Sequence, residues 1–322
     1  MNVRTNRPGH TSAFDACRRP KRAVNSQTVR VAIATCQSPP EPDPDEALLL
    51  AALRAAGLDA SVLAWDDERA QATLAEQDII VLRSTWNYHQ RVDDFVAWVA
   101  RVGATTVVLN PPPVIAWNAR KTYLAELDQR GVDIVPTDFV LRGKKRDLLS
   151  VVAERGWEQI VIKPVVSAGS LRTERFSRDE LPVAQMFLDG LVADRDTMIQ
   201  QWMPSVQTYG ERSLVWIDGA ITHAIRKTPR FSGGVEQVSG EVPIAADERA
   251  FAERALAPIA SKLLYARVDM VRDADGVLRI MELELIEPSL FFEQSKPALG
   301  RFVAAIVRRC SDSKQALHAG AS

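Results

Sequence analysis

Tyr265-Ala-Arg-Val-Asp-Met-Val-Arg272, then Asp273-Ala-Asp-Gly276, then Val277-Leu-Arg-Ile-Met-Glu-Leu-Glu-Leu-Ile-Glu-Pro-Ser289 reads as two strands joined by a tight turn. Strand side chains alternate between faces, so Arg267 and Asp269 share one face, as do Glu282 and Glu284 on the returning strand. Three carboxylates are therefore expected to converge. Hard oxygen ligands of this kind suit Mg²⁺, which keeps some waters and completes its shell with phosphates. A hairpin whose polar face simply meets water is the alternative, and it stays open on these residues alone.

The rest of the chain describes a soluble protein of ordinary composition. With 322 residues, 46% hydrophobic and 25% charged, it is long enough to bury a sizeable core in two or three lobes. A formal net charge of −1 gives no electrostatic reason to expect nucleic acid or an anionic membrane as partner. Cys17, Cys36 and Cys310 are widely spaced, with no CxxC pattern, so neither a structural zinc site nor a disulfide framework is indicated. A reducing cytoplasm fits this best. No apolar run approaches the ~20 residues that span a bilayer.

Residues 1–28 carry Arg4, Arg7, Arg18, Arg19, Lys21 and Arg22 against one acid, Asp15, with almost no apolar content. A disordered extension is expected there, lacking the apolar core of a secretory signal; a non-native start is an equal reading. A disordered tail is likewise expected over 310–322.

From Val29 the pattern alternates strand and helix. Val29–Thr35 is an apolar strand, 45–56 a Leu/Ala-rich helix closed by Gly57, and 60–64, 78–83 and 105–109 further strands, with a helix from Asp93 between the last two. Such alternation implies a small parallel sheet covered by helices, whose ligands gather at the carboxyl ends of the strands. That rule singles out Arg83-Ser84-Thr85-Trp86-Asn87-Tyr88 as a candidate contact for a small polar substrate. The competing reading is a loop that packs Trp86 and Tyr88 onto the body. No G-x-G-x-x-G follows the first strand, which argues against a dinucleotide-binding domain.

Prolines 111–113 mark a boundary, and a helix over 118–129 carries Lys121 near its start. Gln159–Lys163 reads as a strand ending in a lysine that is costly to bury without an anion. The small residues Ser167, Ala168, Gly169 and Ser170 follow, and their backbone N–H groups can approach an anion closely. A strand over 197–203 ends in Gln200-Gln201-Trp202-Met203. Asp218-Gly219 is a tight hairpin turn, and beyond it Arg226 and Lys227 leave their strand beside a Pro229–Gly234 stretch.

Taken in order, these parts resemble the ATP-grasp ligases, over about residues 116–309, with the glutathione synthetase and D-alanine ligase branches nearest in pattern. The resemblance implies an N-terminal parallel α/β substrate domain, 29–115, followed by a two-lobed α+β ATP-grasp fold over 116–309. It also implies ATP and Mg²⁺ as cofactors. Lys121 and Lys163 would contact the phosphates, and Ser167, Gly169 and Ser170 would belong to the phosphate-covering loop. Gln200, Gln201, Trp202 and Met203 would recognise adenine, and Glu211 would reach the ribose. Asp269, Glu282 and Glu284 would be metal ligands, although the family's usual Glu-x-Asn is here Glu282-x-Glu284. Arg267 would stabilise the oxyanion of the tetrahedral intermediate and Arg226 the transferred phosphoryl group. Phe231–Gly234 would join the small-residue loop as a lid.

The implied chemistry activates a carboxylate as an acyl phosphate that an amine then displaces. Arg-Ser-Thr-Trp-Asn-Tyr and Glu-Leu-Glu-Leu-Ile-Glu-Pro resemble the subgroup containing the O-ureido-serine cyclo-ligase of cycloserine biosynthesis, in which an internal nitrogen would close a ring. The expected partner is a small amino-acid-like substrate, with homo-oligomerisation left open. An ATP-grasp phosphotransferase and a non-catalytic nucleotide-binding protein are the alternatives.

Overall fold

A computed structural model describes residues 28–169, 171–228 and 237–319 of the chain. Ser170, the lid residues 231–234 and the extension over 1–27 lie outside the described residues.

Four strands, β1 (Arg30–Thr35), β2 (Asp59–Ala64), β3 (Ile79–Leu82) and β4 (Val107–Leu109), form a parallel sheet in the order β2-β1-β3-β4. All four residues of β3 are buried, as expected of a parallel strand covered on both faces. Helices α1 (Glu46–Ala55), α2 (Gln71–Ala75) and α3 (Val92–Val102) supply the cover. On α3, Phe95, Trp98, Val99 and Val102 are the buried positions, the i, i+3, i+4, i+7 stripe of an amphipathic helix.

The expected helix over 118–129 is two helices, α4 (Pro112–Asn118) and α5 (Tyr123–Gln129). Pro112 and Pro113 open α4, where a missing N–H costs nothing. Lys121 lies in the turn between the helices, and its backbone N–H donates to the Val165 carbonyl (3.0 Å). The break therefore lets Lys121 leave the helix surface and face a neighbouring loop.

The next lobe is an antiparallel sheet in the order β5-β8-β6-β7, built from β5 (Thr137–Val140), β6 (Gln159–Pro164), β7 (Glu174–Ser177) and β8 (Thr197–Gln201). Its helices are α6 (Leu148–Arg155) and α7 (Leu181–Val192). Asp147 caps α6 by accepting from the N–H groups of Leu149 and Ser150, and Gly156 closes it in the left-handed conformation.

The third sheet contains β9 (Glu211–Ile217), β10 (Ala220–Thr228), β11 (Gln237–Val238), β12 (Tyr265–Arg272) and β13 (Leu278–Glu284) in the order β11-β10-β9-β12-β13. Asp218 and Gly219 both have positive φ, +45° and +91°, which the two-residue β9–β10 turn requires. Helix α8 (Ala246–Leu256) packs on this sheet through Phe251, Ala252 and Ala255.

Helix α9 runs from Lys296 to Ala319. The tail expected to be disordered from 310 is thus helical through Ala319, and Cys310 is buried. The stripe Phe302, Ala305, Ile306 and Cys310 carries the apolar face past the point where composition alone suggested it ends.

One core joins the parallel sheet to the third sheet: Val31, Leu49 and Val81 cluster with Val215, Ile217, Tyr265 and Phe302. Asn110, just beyond β4, ties the two together, donating to the carbonyls of Tyr265 and Leu285 (both 2.8 Å) and accepting from the Leu264 N–H (2.7 Å). Asn118 and the Tyr123 hydroxyl bind the backbone of β13 at Leu283 and Leu285. The carboxylate-bearing strand is therefore fixed along its edge by buried hydrogen bonds. Among the described residues no helix is long and apolar enough to cross a membrane.

Candidate active site

A cleft of about 590 Å³ lies between the two antiparallel sheets and the carboxyl ends of the parallel one. Its floor is the β12–β13 ladder, where Arg267 pairs in register with Glu284 and Asp269 with Glu282. Arg267, Glu282 and Glu284 line the cleft. Asp269 lies beneath them, 1% exposed.

Asp269 is held there by hydrogen bonds from two cations and one hydroxyl. Arg267 Nε reaches Oδ1 at 2.9 Å and Nη2 reaches Oδ2 at 2.8 Å; Lys227 Nζ reaches Oδ2 at 2.9 Å and Ser213 Oγ reaches Oδ1 at 2.6 Å. Burial pushes the Asp269 carboxyl up, but Arg267 and Lys227 outweigh it and hold the group well below the usual carboxylate range. Arg267 also donates to Glu284 and lies over the Phe291 ring, 5.6 Å from its centroid.

The expected convergence of three carboxylates is thus corrected. Among the described residues no three acidic, histidine or cysteine side chains form a metal-binding group. Arg267 stands between Asp269 and Glu284, while Lys121 takes Glu282 at 3.1 Å. The donor set nevertheless suits a hard cation. Burial raises Glu284 to about 8 despite Arg267, with Asp269 and Glu282 adding to the effect, and burial raises Glu211 to about 7 despite Lys227. Negative charge in the cleft is therefore under-compensated by the protein's own cations, and oxygen ligands of this kind fit Mg²⁺.

Lys121 and Lys163 both line the cleft. Lys121 Nζ donates to the Ser167 carbonyl (2.8 Å), which ties the small-residue loop to the β13 carboxylates. Among the described residues Lys163 Nζ forms no hydrogen bond or ion pair. Burial lowers it to about 8, with nearby Lys121 adding to the effect and Glu282 opposing it. A desolvated ammonium without a partner is suited to an anion brought in by a ligand. Ser167 and Gly169 line the same wall.

At the far end the cleft is apolar. Trp202 and Met203 pack with Val135, Val206 and Val271, and Arg175 lies over the Trp202 ring, 4.9 Å from its centroid. Gln200, Gln201 and Glu211 also line the cleft. Gln200 is buried and its Nε2 donates to Thr137 Oγ1 at 3.0 Å.

Arg226 does not reach the cleft. On β10 it is exposed, while Lys227, one position on, is buried. Its side chain lies over Gly210, where an added Cβ would meet Arg226 Cγ at 2.5 Å. The alternation of β10 thus places Lys227 inside, with Glu211 Oε1 at 2.5 Å and Asp269 at 2.9 Å. Lys227 was visible in the sequence only as the neighbour of Arg226.

The six residues after β3 divide in the middle. Arg83 is 1% exposed and bonds the Pro288 carbonyl (2.6 Å) and Asp45 (3.3 Å). Ser84 Oγ meets Thr35 Oγ1 at 2.7 Å, and Thr85 is fully buried. These three, expected to touch substrate, instead brace the loop. Asp45 completes the brace by accepting from the N–H groups of Leu290 and Phe292. Trp86, Asn87 and Tyr88 do line the cleft, and Trp86 Nε1 donates to the Glu287 carbonyl (3.2 Å).

Two cleft residues went unnoticed in the sequence. His89 meets the Trp86 carbonyl through Nδ1 (2.8 Å), and its Nε2 is buried with no partner among the described residues. Glu287 lines the cleft beside Trp86. The only hint was its place in Glu-Leu-Glu-Leu-Ile-Glu, three residues beyond Glu284 and past the end of β13, so out of the two-residue alternation that pairs the other two acids.

Residues 31–110 match the family model described as the N-terminal domain of D-cycloserine synthetase DcsG. Over 290 residues the chain is 32% identical to the cycloserine biosynthesis protein DcsG of Streptomyces lavendulae, covering 83% of this chain and 94% of that protein. The crystal structure of D-cycloserine synthetase DcsG superposes with a TM-score of 0.79 at 31% identity, covering 87% of this chain and 99% of the other. D-alanine–D-alanine ligase from Bacillus anthracis shares the fold, with a TM-score of 0.64 at 13% identity over 89% of this chain and 99% of its own.

Proposed function

Because the chain belongs to the D-cycloserine synthetase family of ATP-grasp ligases and is an ATP-dependent ligase, we propose that it closes a ring within one amino-acid-like substrate of the O-ureido-serine type. ATP and Mg²⁺ are the proposed cofactors, with 116–309 as the nucleotide-binding unit and 29–115 as the substrate side.

In this reading adenine lies in the apolar end of the cleft against Trp202 and Met203, with Gln200 and Gln201 beside it and Glu211 at the ribose. Lys121 and Lys163 hold the phosphates, and Ser167 and Gly169 cover them. Glu282 and Glu284 would hold Mg²⁺, which when bound neutralises phosphate charge, while Asp269 stays engaged with Arg267 and Lys227.

The substrate carboxylate oxygen bonds to the γ-phosphorus as the bond to the β-phosphate oxygen breaks, giving an acyl phosphate and ADP. The oxygen-bound nitrogen of the ureido group then attacks the carbonyl carbon, loses a proton and expels phosphate to give the N-carbamoyl ring. Water cleaves the carbamoyl C–N bond, releasing carbon dioxide and ammonia and leaving the free ring N–H of D-cycloserine. Arg267 is the proposed oxyanion donor: held in orientation by Asp269 and Glu284, it costs no reorganisation at the moment charge develops. Closure of the cleft protects the acyl phosphate from water.

The observation that carries this reading is Arg267 at the cleft floor, locked by two carboxylates, with Lys121 and Lys163 lining the same cleft. The test is ADP formation from ATP and Mg²⁺ with O-ureido-D-serine, with mass spectrometry of the product. D-Cycloserine formed in step with ADP supports the proposal. A stable phosphorylated substrate would favour the phosphotransferase, and nucleotide binding without ADP formation on this substrate would exclude the proposed ring closure.

A further inference from the structure

Three carboxylates that line the cleft face a cation, and so does a fourth beneath its floor. Glu211 meets Lys227, Glu282 meets Lys121, Glu284 meets Arg267, and Asp269 beneath the floor meets Arg267 and Lys227. Glu287 differs. It lines the cleft, yet among the described residues its carboxylate has no ion pair and no partner beyond its own backbone N–H. Its backbone is held firmly: Trp86 donates to the Glu287 carbonyl and Arg83 to that of Pro288, while Asp45 secures Leu290 and Phe292. A partly buried carboxylate with no cation in direct contact has exchanged its hydration for one backbone N–H and the more distant charge of Lys121 and Arg267, a poor return unless a ligand supplies a positive charge at contact.

Its position says which ligand. Glu287 sits at the carboxyl ends of the parallel strands, beside Trp86 and Tyr88, away from the apolar end lined by Trp202 and Met203. Lys121 and Arg267, the groups suited to a carboxylate, lie on the floor nearby and act on Glu287 through their charge. A zwitterionic amino acid laid across this part of the cleft would turn its carboxylate toward Arg267 and its ammonium toward Glu287.

From this juxtaposition we infer that Glu287 is the residue that selects the α-ammonium of the substrate. The inference rests on the amino-acid reading of the cleft given above, and it concerns binding rather than the chemical step. Glu287 thereby distinguishes an amino acid from the same molecule without its amine.

The test uses full-length protein with Mg²⁺ and AMPPNP, so that no turnover is needed, and titration calorimetry of two probes. One is O-ureido-D-serine. The other is 3-(ureidooxy)propionate, identical but lacking the ammonium. Wild type should prefer the amine-bearing probe by about 10²-fold, the scale of one charge-assisted contact in a desolvated site. Glu287→Gln should reduce that preference to about threefold or less, and Glu287→Asp should retain most of it. Unchanged AMPPNP affinity in the variants confirms an intact fold. No preference in wild type, no binding of either probe, or a preference kept in Glu287→Gln would each overturn the inference. Ring closure is judged separately, from ADP and product formation with ATP, so either idea can fail without the other.

Discussion

Lys227 Nζ, on the cleft wall, and Asp269 Oδ2, beneath the floor, stand 2.9 Å apart, both nearly out of solvent. Each is held in its charged form by the other and by Arg267, Glu211 and Ser213 around them. This buried cluster, rather than any single contact, fixes Arg267 at the surface of the cleft.

Removing one member should therefore be expensive. Asp269→Asn leaves Lys227 and Arg267 short of a counter-charge and should lower stability by roughly 3–5 kcal/mol. A urea unfolding curve with unchanged slope and a lower midpoint is the expected result.

Arg267→Lys keeps the charge but loses the planar fork that meets Asp269 and Glu284 together. ADP-coupled turnover should fall by about 10²- to 10³-fold, while AMPPNP affinity stays within a few-fold of wild type. Steady-state kinetics with parallel nucleotide titration separates the two effects.

Arg226 and Lys227 are adjacent cations with opposite surroundings. Arg226→Ala should change stability by less than about 0.5–1 kcal/mol, as an exposed substitution does, with turnover near wild type. Lys227→Met exposes Glu211 and Asp269 to uncompensated repulsion and should depress both. Thermal melts and turnover of the two variants, compared side by side, check this.

Lys163 sets a pH dependence. Burial lowers its pKa to about 8, so the cation is present below that value and is lost as pH rises through it. AMPPNP affinity at constant Mg²⁺ should weaken from about pH 7 to 9, and binding near pH 8 should take up a proton from buffer. Lys163→Gln should bind more weakly throughout and lose the proton uptake, both measurable by calorimetry in buffers of different ionisation enthalpy.

The sequence exposed those parts of the site that follow from periodicity. Alternation on β12 and β13 placed Arg267, Glu282 and Glu284 on one face, and the parallel sheet with its strand-end loop was legible from apolar runs and helix stripes. Pairings across long separations were not. Arg83 reads like a ligand-binding residue until Asp45 and Pro288, 38 and 205 residues away, are seen to consume it. Asp269 reads as a free carboxylate until Lys227 arrives from another strand. Arg226 and Lys227 cannot be told apart without knowing the phase of β10, because both end an apolar run. Glu287 was hidden for the opposite reason: its significance is a missing partner, which only the folded chain reveals.

Ring closure within one molecule is tested most directly by turnover of an equal mixture of unlabelled and uniformly ¹³C,¹⁵N-labelled O-ureido-D-serine with ATP and Mg²⁺. Intramolecular closure predicts cyclic products that are entirely light or entirely heavy. Products of mixed mass, containing one light and one heavy unit, would show that two substrates are joined and would contradict it.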